Sequence, residues 1–190
     1  MQKVLKIPLI GTIKNLANKM KIAKTKLDNV LIIEPDVFRD LRGQNVKIYN
    51  QALYQKNGIN VKFIGDDFSV SKKNVLRGIH GDDKTWKLIS CLSGKFYLVV
   101  VNCDDSSKDF GKWQSFILSD KNRLQVLVPP KYGNAHLIQS SKAIFYYKQS
   151  VYYNQSKQFT YRWDDTLFKI KWPIKKPVLS ERDKSASSRS

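Results

Sequence analysis

The sequence contains only two cysteines, Cys91 and Cys103, and neither belongs to a CxxC pair or to a cluster with histidine. Both lie in apolar stretches, which predicts buried, reduced thiols and suits a cytoplasmic protein. The same spacing argues against a structural zinc site. No apolar run approaches the ~20 residues of a membrane-spanning helix, so we expect no membrane span.

Acidic residues are also scarce, because 16 Asp and Glu stand against 34 Lys and Arg, a formal net charge of +18. Such a charge attracts polyanions, and nucleic acid is one candidate partner. However, lysines greatly outnumber arginines and no nucleic-acid-binding motif is present. We therefore expect no specific nucleic-acid binding, whereas a smaller anion such as a nucleotide diphosphate would benefit from the positive field.

A length of 190 residues with 42% hydrophobic and 12% aromatic content predicts one globular domain with a sizeable core. No P-loop or GxGxxG motif is present, and strands and helices do not alternate. Turn signals instead recur every ~8–12 residues, the spacing expected of a β-sandwich or closed barrel. Strands are predicted at 30–33, 61–64, 86–92, 95–102, 111–118, 123–128, 135–139 and 143–148, and one or two helical turns at 51–56.

The chain divides into three parts by composition. Residues 1–20 form a basic N-terminal extension, in which Thr12 to Met20 could make a short amphipathic helix. This segment could be a membrane-surface or partner-binding arm, but we favour a plain extension. Residues 21–184 form the single domain, and the serine-rich residues 185–190 form a flexible tail.

The stretch 75–87 holds the best candidates for chemistry. If it remains extended, the side chains alternate, and Arg77 and His80 lie on opposite faces of the strand. His80 is one of only two histidines, and the imidazole is suited to proton transfer near neutral pH. A single histidine is more often structural, so the rest of the chain decides its role.

A series of motifs in a fixed order makes this sequence similar to a known family. They are Asp40-Leu41-Arg42-Gly43, the run from Ser69 to His80, Lys87-Leu88-Ile89, Phe110-Gly111-Lys112-Trp113, Tyr147-Lys148 with Tyr152-Tyr153, the run from Trp163 to Pro173, and Leu179 to Asp183. From about Met20 to Asp183 the chain resembles the dTDP-4-dehydrorhamnose 3,5-epimerase family of cupin-like jelly rolls. The resemblance implies an all-β, cupin-type jelly roll (a double-stranded β-helix) with short helices, and a homodimer.

The resemblance also implies an activity, the inversion of C3, C5 or both in a nucleotide-linked 4-keto-6-deoxy sugar. Such carbons carry acidic protons because they flank a carbonyl, and no metal or redox cofactor is required. By resemblance His80 is the base, Asp183 its carboxylate partner, Lys87 the group that stabilises the enolate and Tyr147 the acid. The implied substrate-binding residues are Arg77, Arg42, Asp67, Asn134 and Tyr153.

Several positions depart from the family pattern. Asn134 stands where the family has histidine, His136 where it has phenylalanine, and Asn102 and Asp104 replace an acid and an arginine. We interpret this as retained proton chemistry on a different nucleotide sugar. The changes are similar to those in relatives that act on GDP-linked 4-keto-6-deoxy-heptoses in capsule or lipopolysaccharide pathways.

Two other functions are compatible with the same residues. A cupin ketoisomerase would use a histidine base to move the carbonyl between C4 and C3. A non-catalytic cupin that binds nucleotide sugars or polyanions would account for the departures and for the basic extension.

Overall fold

The structure, a computed structural model, describes residues 20–188 of the chain. The predicted extension, apart from Met20, lies outside the described residues. The strands are β1 Lys21–Lys24, β2 Leu31–Glu34, β3 Asp36–Asp40, β4 Gly43–Lys47, β5 Gly65–Lys72, β6 Leu76–Gly81, β7 Lys87–Ser93, β8 Lys95–Asn102, β9 Trp113–Ser119, β10 Gln125–Val128, β11 Tyr132–Ile138, β12 Lys142–Gln149 and β13 Phe159–Thr160; the helices are α1 Gln51–Lys56 and α2 Glu181–Lys184. Among these residues no helix has the length and apolar character needed to cross a bilayer.

Two large antiparallel sheets form the molecule. One has six strands in the order β1-β2-β10-β7-β12-β5, and the other has five in the order β13-β6-β11-β8-β9. Strands β3 and β4 form a separate hairpin. Neighbours in the sheets come from distant parts of the sequence, as in a cupin-type jelly roll, and the predicted fold class is confirmed.

The main core lies between the two sheets. Along β8, Phe96, Leu98 and Val100 all point into it and are fully buried. Val101, on the opposite face of the same strand, packs in a second apolar layer with Tyr161 of the C-terminal segment. Because β8 is covered on both faces, its sequence is a continuous apolar run and not an alternating one.

Helix α1 covers the outer face of the six-stranded sheet. Asn50 caps it by accepting a hydrogen bond from the Leu53 amide at 2.9 Å. Tyr54 packs in an apolar cluster with residues of β2, β7 and β10, and its hydroxyl donates to Gln125 Oε1 at 2.5 Å. The helix predicted at 51–56 is therefore confirmed.

The strand predicted at 61–64 is wrong. This segment runs as a loop in which Val61 and Phe63 pack against the cluster under α1. The Ile64 amide donates to the Gln149 carbonyl at 2.9 Å, but the segment joins no ladder. Its apolar residues cover the outer sheet face, so their hydrophobicity reflects packing and not strand pairing.

The C-terminal residues also contact the domain. The Arg162 amide donates to the Ser187 carbonyl at 3.4 Å, and the Ser188 hydroxyl lies 3.3 Å from Asp165 Oδ2. These contacts belong to residues 185–188, the described part of the predicted tail.

Candidate active site

A cavity of about 310 Å³ opens between the two sheets and is lined by polar side chains from both. Seven of the nine site residues predicted from the sequence line it: His80, Asp183, Lys87, Tyr147, Arg77, Asn134 and Tyr153. A larger cleft of about 700 Å³ lies elsewhere, around the exposed Lys131–Asp104 ion pair, and contains none of the nine. We therefore take the smaller cavity as the candidate active site.

A β-bulge in β6 brings Arg77 and His80 into this one cavity, so the prediction of opposite faces is wrong. On the neighbouring β11, His136 pairs with Arg77 and Asn134 pairs with His80, so β6 holds one residue more than its partner. Gly78 within the bulge has a φ of +113°, and a Cβ there would lie 2.5 Å from the Asn134 carbonyl oxygen. Glycine is therefore required for this close approach.

His80 forms a short contact with a buried carboxylate. Its Nε2 lies 2.6 Å from Asp183 Oδ1, and the Asp183 side chain is 1% exposed. Burial raises the pKa of Asp183, but hydrogen bonds from His80 and Ser180 outweigh this effect and hold the pKa below its ordinary value. An ionised carboxylate can only accept, so Nε2 carries the ring proton and Nδ1 is left as the basic nitrogen.

The position of Asp183 follows from a local capping pattern. Ser180 is the N-cap of α2, and its hydroxyl oxygen is 3.2 Å from the Asp183 amide and 2.9 Å from Asp183 Oδ2. The preceding segment is held against β6, because Val178 exchanges backbone hydrogen bonds with Asn74 and Leu76 at 2.9 and 3.0 Å. The helix is thus fixed with its carboxylate facing His80.

Lys87 joins the two sheets within the cavity. Its Nζ, on β7, donates to Asn134 Oδ1, on β11, at 3.2 Å, and both residues are buried. Burial lowers the pKa of Lys87 to about 8. The amine therefore remains mostly charged at neutral pH, although it is held in a site that favours its neutral form.

Tyr147 occupies the wall opposite His80. It lies on β12 of the six-stranded sheet, whereas His80 lies on β6 of the five-stranded sheet. Burial, together with the neighbouring Asp67, raises the pKa of Tyr147 to about 12. The phenol therefore keeps its proton throughout the neutral range and can act only as a proton donor there.

Two arginines, Arg77 and Arg182, also line the cavity. Arg77 donates from Nε to the Ser71 hydroxyl at 3.1 Å, and Arg182 donates to Thr160 Oγ1 at 2.7 Å and to the Tyr153 hydroxyl at 3.4 Å. The sequence reasoning did not identify Arg182. Arg182 directly precedes Asp183 in the Leu179 to Asp183 motif, and this proximity to a predicted site residue could have identified it.

Arg42 and Asp67 are not brought to the cavity lining of this chain. Arg42 lies at the exposed tip of the β3–β4 hairpin and forms an ion pair with Asp40 at 2.6 Å. Asp67 is an exposed residue of β5 that lies opposite Tyr147 in register and accepts a hydrogen bond from Gln149 Nε2 at 2.8 Å. Asp67 affects the site by raising the pKa of Tyr147.

The fold and the site together define a class of protein. An imidazole–carboxylate pair, a buried amine and a phenol converge from two facing sheets of a jelly roll, as expected of an enzyme that moves protons. Within residues 20–188 no group of three or more His, Cys, Asp or Glu side chains is arranged to hold a metal ion.

Comparison with known proteins then specifies the family. The model of the dTDP-4-dehydrorhamnose 3,5-epimerase family matches residues 24–189. The chain is 37% identical to the dTDP-4-dehydrorhamnose 3,5-epimerase of Salmonella typhimurium, over 88% of this chain and 94% of that protein. It is 35% identical to the enzyme of the same name from Shigella flexneri, over 86% and 93%.

A solved structure gives the same result. The Legionella pneumophila dTDP-6-deoxy-D-glucose-3,5-epimerase, in complex with dTDP-4-keto-L-rhamnose, superposes with a TM-score of 0.85 at 34% identity, covering 89% of this chain and 92% of that one. The chain belongs to the dTDP-4-dehydrorhamnose 3,5-epimerase family. It is an isomerase, a nucleotide-sugar epimerase, and the predicted family and enzyme class are confirmed.

Proposed function

We propose that the protein inverts C3, C5 or both of a nucleotide-linked 4-keto-6-deoxy sugar, with His80 as the base. The observation that carries this proposal is the 2.6 Å contact between His80 Nε2 and the buried Asp183 carboxylate at the cavity wall. The carboxylate fixes the ring tautomer and stabilises the imidazolium that forms when His80 takes a proton from the carbon beside the carbonyl.

The remaining steps use groups on both sheets. As the C–H bond breaks, its electrons form an enolate whose negative charge lies on the C4 oxygen. The ammonium of Lys87, held by Asn134, stabilises that charge. Tyr147, on the facing sheet, then gives its phenolic proton to the opposite face of the carbon, which inverts the centre. Solvent then accepts the proton from the imidazolium and returns a proton to the phenolate, so both groups regain their starting state.

For the substrate we propose a GDP-linked 4-keto-6-deoxy-heptose, used to make surface polysaccharide precursors of capsule or lipopolysaccharide. Asn134 and His136 in the cavity support a sugar other than the 4-keto-rhamnose bound by the Legionella relative. Arg77 and Tyr153 line the same cavity, and we propose that they contact the nucleotide diphosphate. The positive net charge favours such an anionic ligand.

Proton NMR in D₂O tests this function directly. The full-length protein is mixed with dTDP-4-keto-6-deoxyglucose or with a GDP-4-keto-6-deoxy-heptose, and we expect the C3 or C5 proton signal of the heptose to disappear. The positions that exchange and the configuration of the product together show how many centres are inverted. A product whose carbonyl has moved to C3 would indicate a ketoisomerase, and no exchange with either compound would contradict the proposal.

We also propose that the protein is a homodimer, as the family resemblance implies, and that it associates through β5. Strand β5 is an edge of the six-stranded sheet, and Phe68 and Val70 on one face of it are 68% and 49% exposed. An exposed apolar edge strand favours pairing with another chain. Light scattering should therefore give twice the 22.0 kDa chain mass.

A matched pair of variants locates that interface. Phe68→Lys should shift the protein toward monomer, whereas Ile117→Lys, on the edge strand β9 of the five-stranded sheet, should leave the mass unchanged. A monomeric wild-type protein at micromolar concentration would contradict the homodimer.

A further inference from the structure

His136 is a buried side chain whose polar atoms have no hydrogen-bond partner among residues 20–188. It lies on β11, two residues from Asn134, and lines the cavity while being only 4% exposed. Neither ring nitrogen forms a hydrogen bond within the described residues. Buried polar side-chain atoms are nearly always hydrogen-bonded in proteins, so two unpaired nitrogens in one ring need an explanation.

The surroundings of His136 hold its ring in place and keep it uncharged. The imidazole stacks on Phe145, with the ring centroids 3.8 Å apart and the planes 7° from parallel, and it also approaches Phe96. Burial, aided by the positive charge of Arg77, lowers the pKa of His136 to about 3. A neutral imidazole has one N–H donor and one acceptor nitrogen, and aromatic rings satisfy neither.

A ligand that pairs with this ring must be neutral and able both to donate and to accept. The acceptor nitrogen disfavours a phosphate oxygen, and the buried N–H donor disfavours a cation. Sugar hydroxyl groups can fill both roles, and His136 lies in the same cavity as His80 and Lys87, where the proposed reaction takes place. Charged nucleotide groups instead fit the guanidinium groups of Arg77 and Arg182, which line the same cavity.

We propose that His136 is a substrate-contacting residue that hydrogen-bonds hydroxyl groups of the sugar at the inner end of the cavity. This inference rests on the proposed function, because it needs the sugar in this cavity. A site with buried hydrogen-bonding groups rejects analogues that lack the matching hydroxyl, since those groups are then left unpaired. His136 would therefore help to select hydroxyl-bearing sugars.

Replacing His136 with phenylalanine separates this role from a structural one. His136→Phe keeps an aromatic ring to stack on Phe145 and removes two unpaired buried nitrogens, so we expect the melting temperature of the free protein to rise. With the sugar nucleotide that the wild type prefers, kcat/KM should fall about 10- to 100-fold, mostly through KM. His136→Gln, which can donate and accept, should recover part of the loss. An unchanged kcat/KM in His136→Phe would overturn the proposal.

NMR of the imidazole nitrogens gives a readout that does not depend on turnover. The chain has only two histidines, so ¹⁵N-histidine labelling yields two rings, and His136→Phe assigns them. We expect the His136 nitrogens to shift when the GDP-4-keto-6-deoxy-heptose or dTDP-4-keto-6-deoxyglucose is added to saturation. GDP or dTDP alone should leave them unmoved. No shift with either saturating sugar nucleotide, or the same shift with the nucleotide alone, would overturn the proposal.

The two proposals fail in different ways. If the proposed function is wrong, the wild-type protein catalyses no deuterium exchange with either sugar nucleotide. If only the role of His136 is wrong, the wild type catalyses exchange, but the His136 nitrogens and the kinetics of His136→Phe do not respond to the sugar.

Discussion

Replacing His80 with asparagine should lower the rate of deuterium incorporation into the sugar by about 10²- to 10⁴-fold, the usual contribution of a general base. Asparagine retains a polar side chain of similar reach but cannot accept a proton from carbon. Asp183→Asn should also slow the reaction strongly. The wild-type carboxylate lies 2.6 Å from His80 Nε2, where it stabilises the imidazolium and fixes which ring nitrogen carries the proton. A neutral amide does neither. Both rates can be measured by proton NMR in D₂O.

Tyr147→Phe is the matched control for His80→Asn. Without the phenol on the facing sheet, His80 can still remove a proton and return deuterium to the same face. We therefore expect exchange to continue in Tyr147→Phe while inversion is lost. Exchange in His80→Asn at more than about a tenth of the wild-type rate would lie far outside the expected loss and would exclude His80 as the base.

Replacing Lys87 with methionine should make the protein more stable and nearly inactive. Methionine has a similar length and no charge, so the enolate loses its cation and kcat should fall by about 10²- to 10³-fold. The wild-type rate should itself decline above about pH 8, where Lys87 loses its proton. In Lys87→Met that decline should be absent. The pH dependence of deuterium exchange measures both effects.

The gain in stability follows from the lowered pKa of Lys87. Below about pH 8 the folded protein holds a buried ammonium, whereas the unfolded chain holds a solvated one with a pKa near 10.5. The difference in pKa corresponds to about 3 kcal/mol of destabilisation, which Lys87→Met should largely remove at pH 7. As the pH rises from about 8 to 10.5, the unfolded state binds more protons, so the wild type should gain stability relative to the variant.

Lys148→Met serves as the control for Lys87→Met. Lys148 lies on β12 beside Tyr147 and forms an ion pair with Asp66 at 2.5 Å. Burial lowers the pKa of Lys148, but the interactions with Asp66 and Tyr146 together outweigh this and hold the pKa above its ordinary value. This variant should therefore lose stability at pH 7 and keep its exchange rate. Urea unfolding at pH 7 and pH 10 distinguishes the two lysines, and equal destabilisation in both variants would contradict the prediction for Lys87.

The sequence predicts those parts of the fold whose signal is local. The strand predicted at 95–102 matches β8, because a strand covered on both faces must be apolar throughout. The helix at 51–56 is likewise marked by its Asn50 cap. The segment 61–64 was mispredicted because an apolar run shows that residues are buried but not whether a strand lies beside them.

Parts of the site depend on partners that no local pattern reveals. Strand alternation alone predicts that Arg77 and His80 lie on opposite faces of β6. Only the register with β11 reveals the extra residue in β6 that brings both side chains into the cavity. The Ser180-x-x-Asp183 pattern indicates a helix cap, but its pairing with His80 came from resemblance to a family. His136 was noted as a departure, and its unpaired nitrogens became visible only when Phe145 and Phe96 were placed around it.

The closing segment of the chain has a consequence for how activity arises during synthesis. His80 and Asp183 are 103 residues apart, and Asp183 is held by a four-residue helix that follows all of the described strands. Every described strand is therefore synthesised before the carboxylate that orients the base. Translation products that stop before residue 180 would contain all of these strands but lack Ser180, Arg182 and Asp183 from the cavity wall, so catalytic competence depends on this late segment.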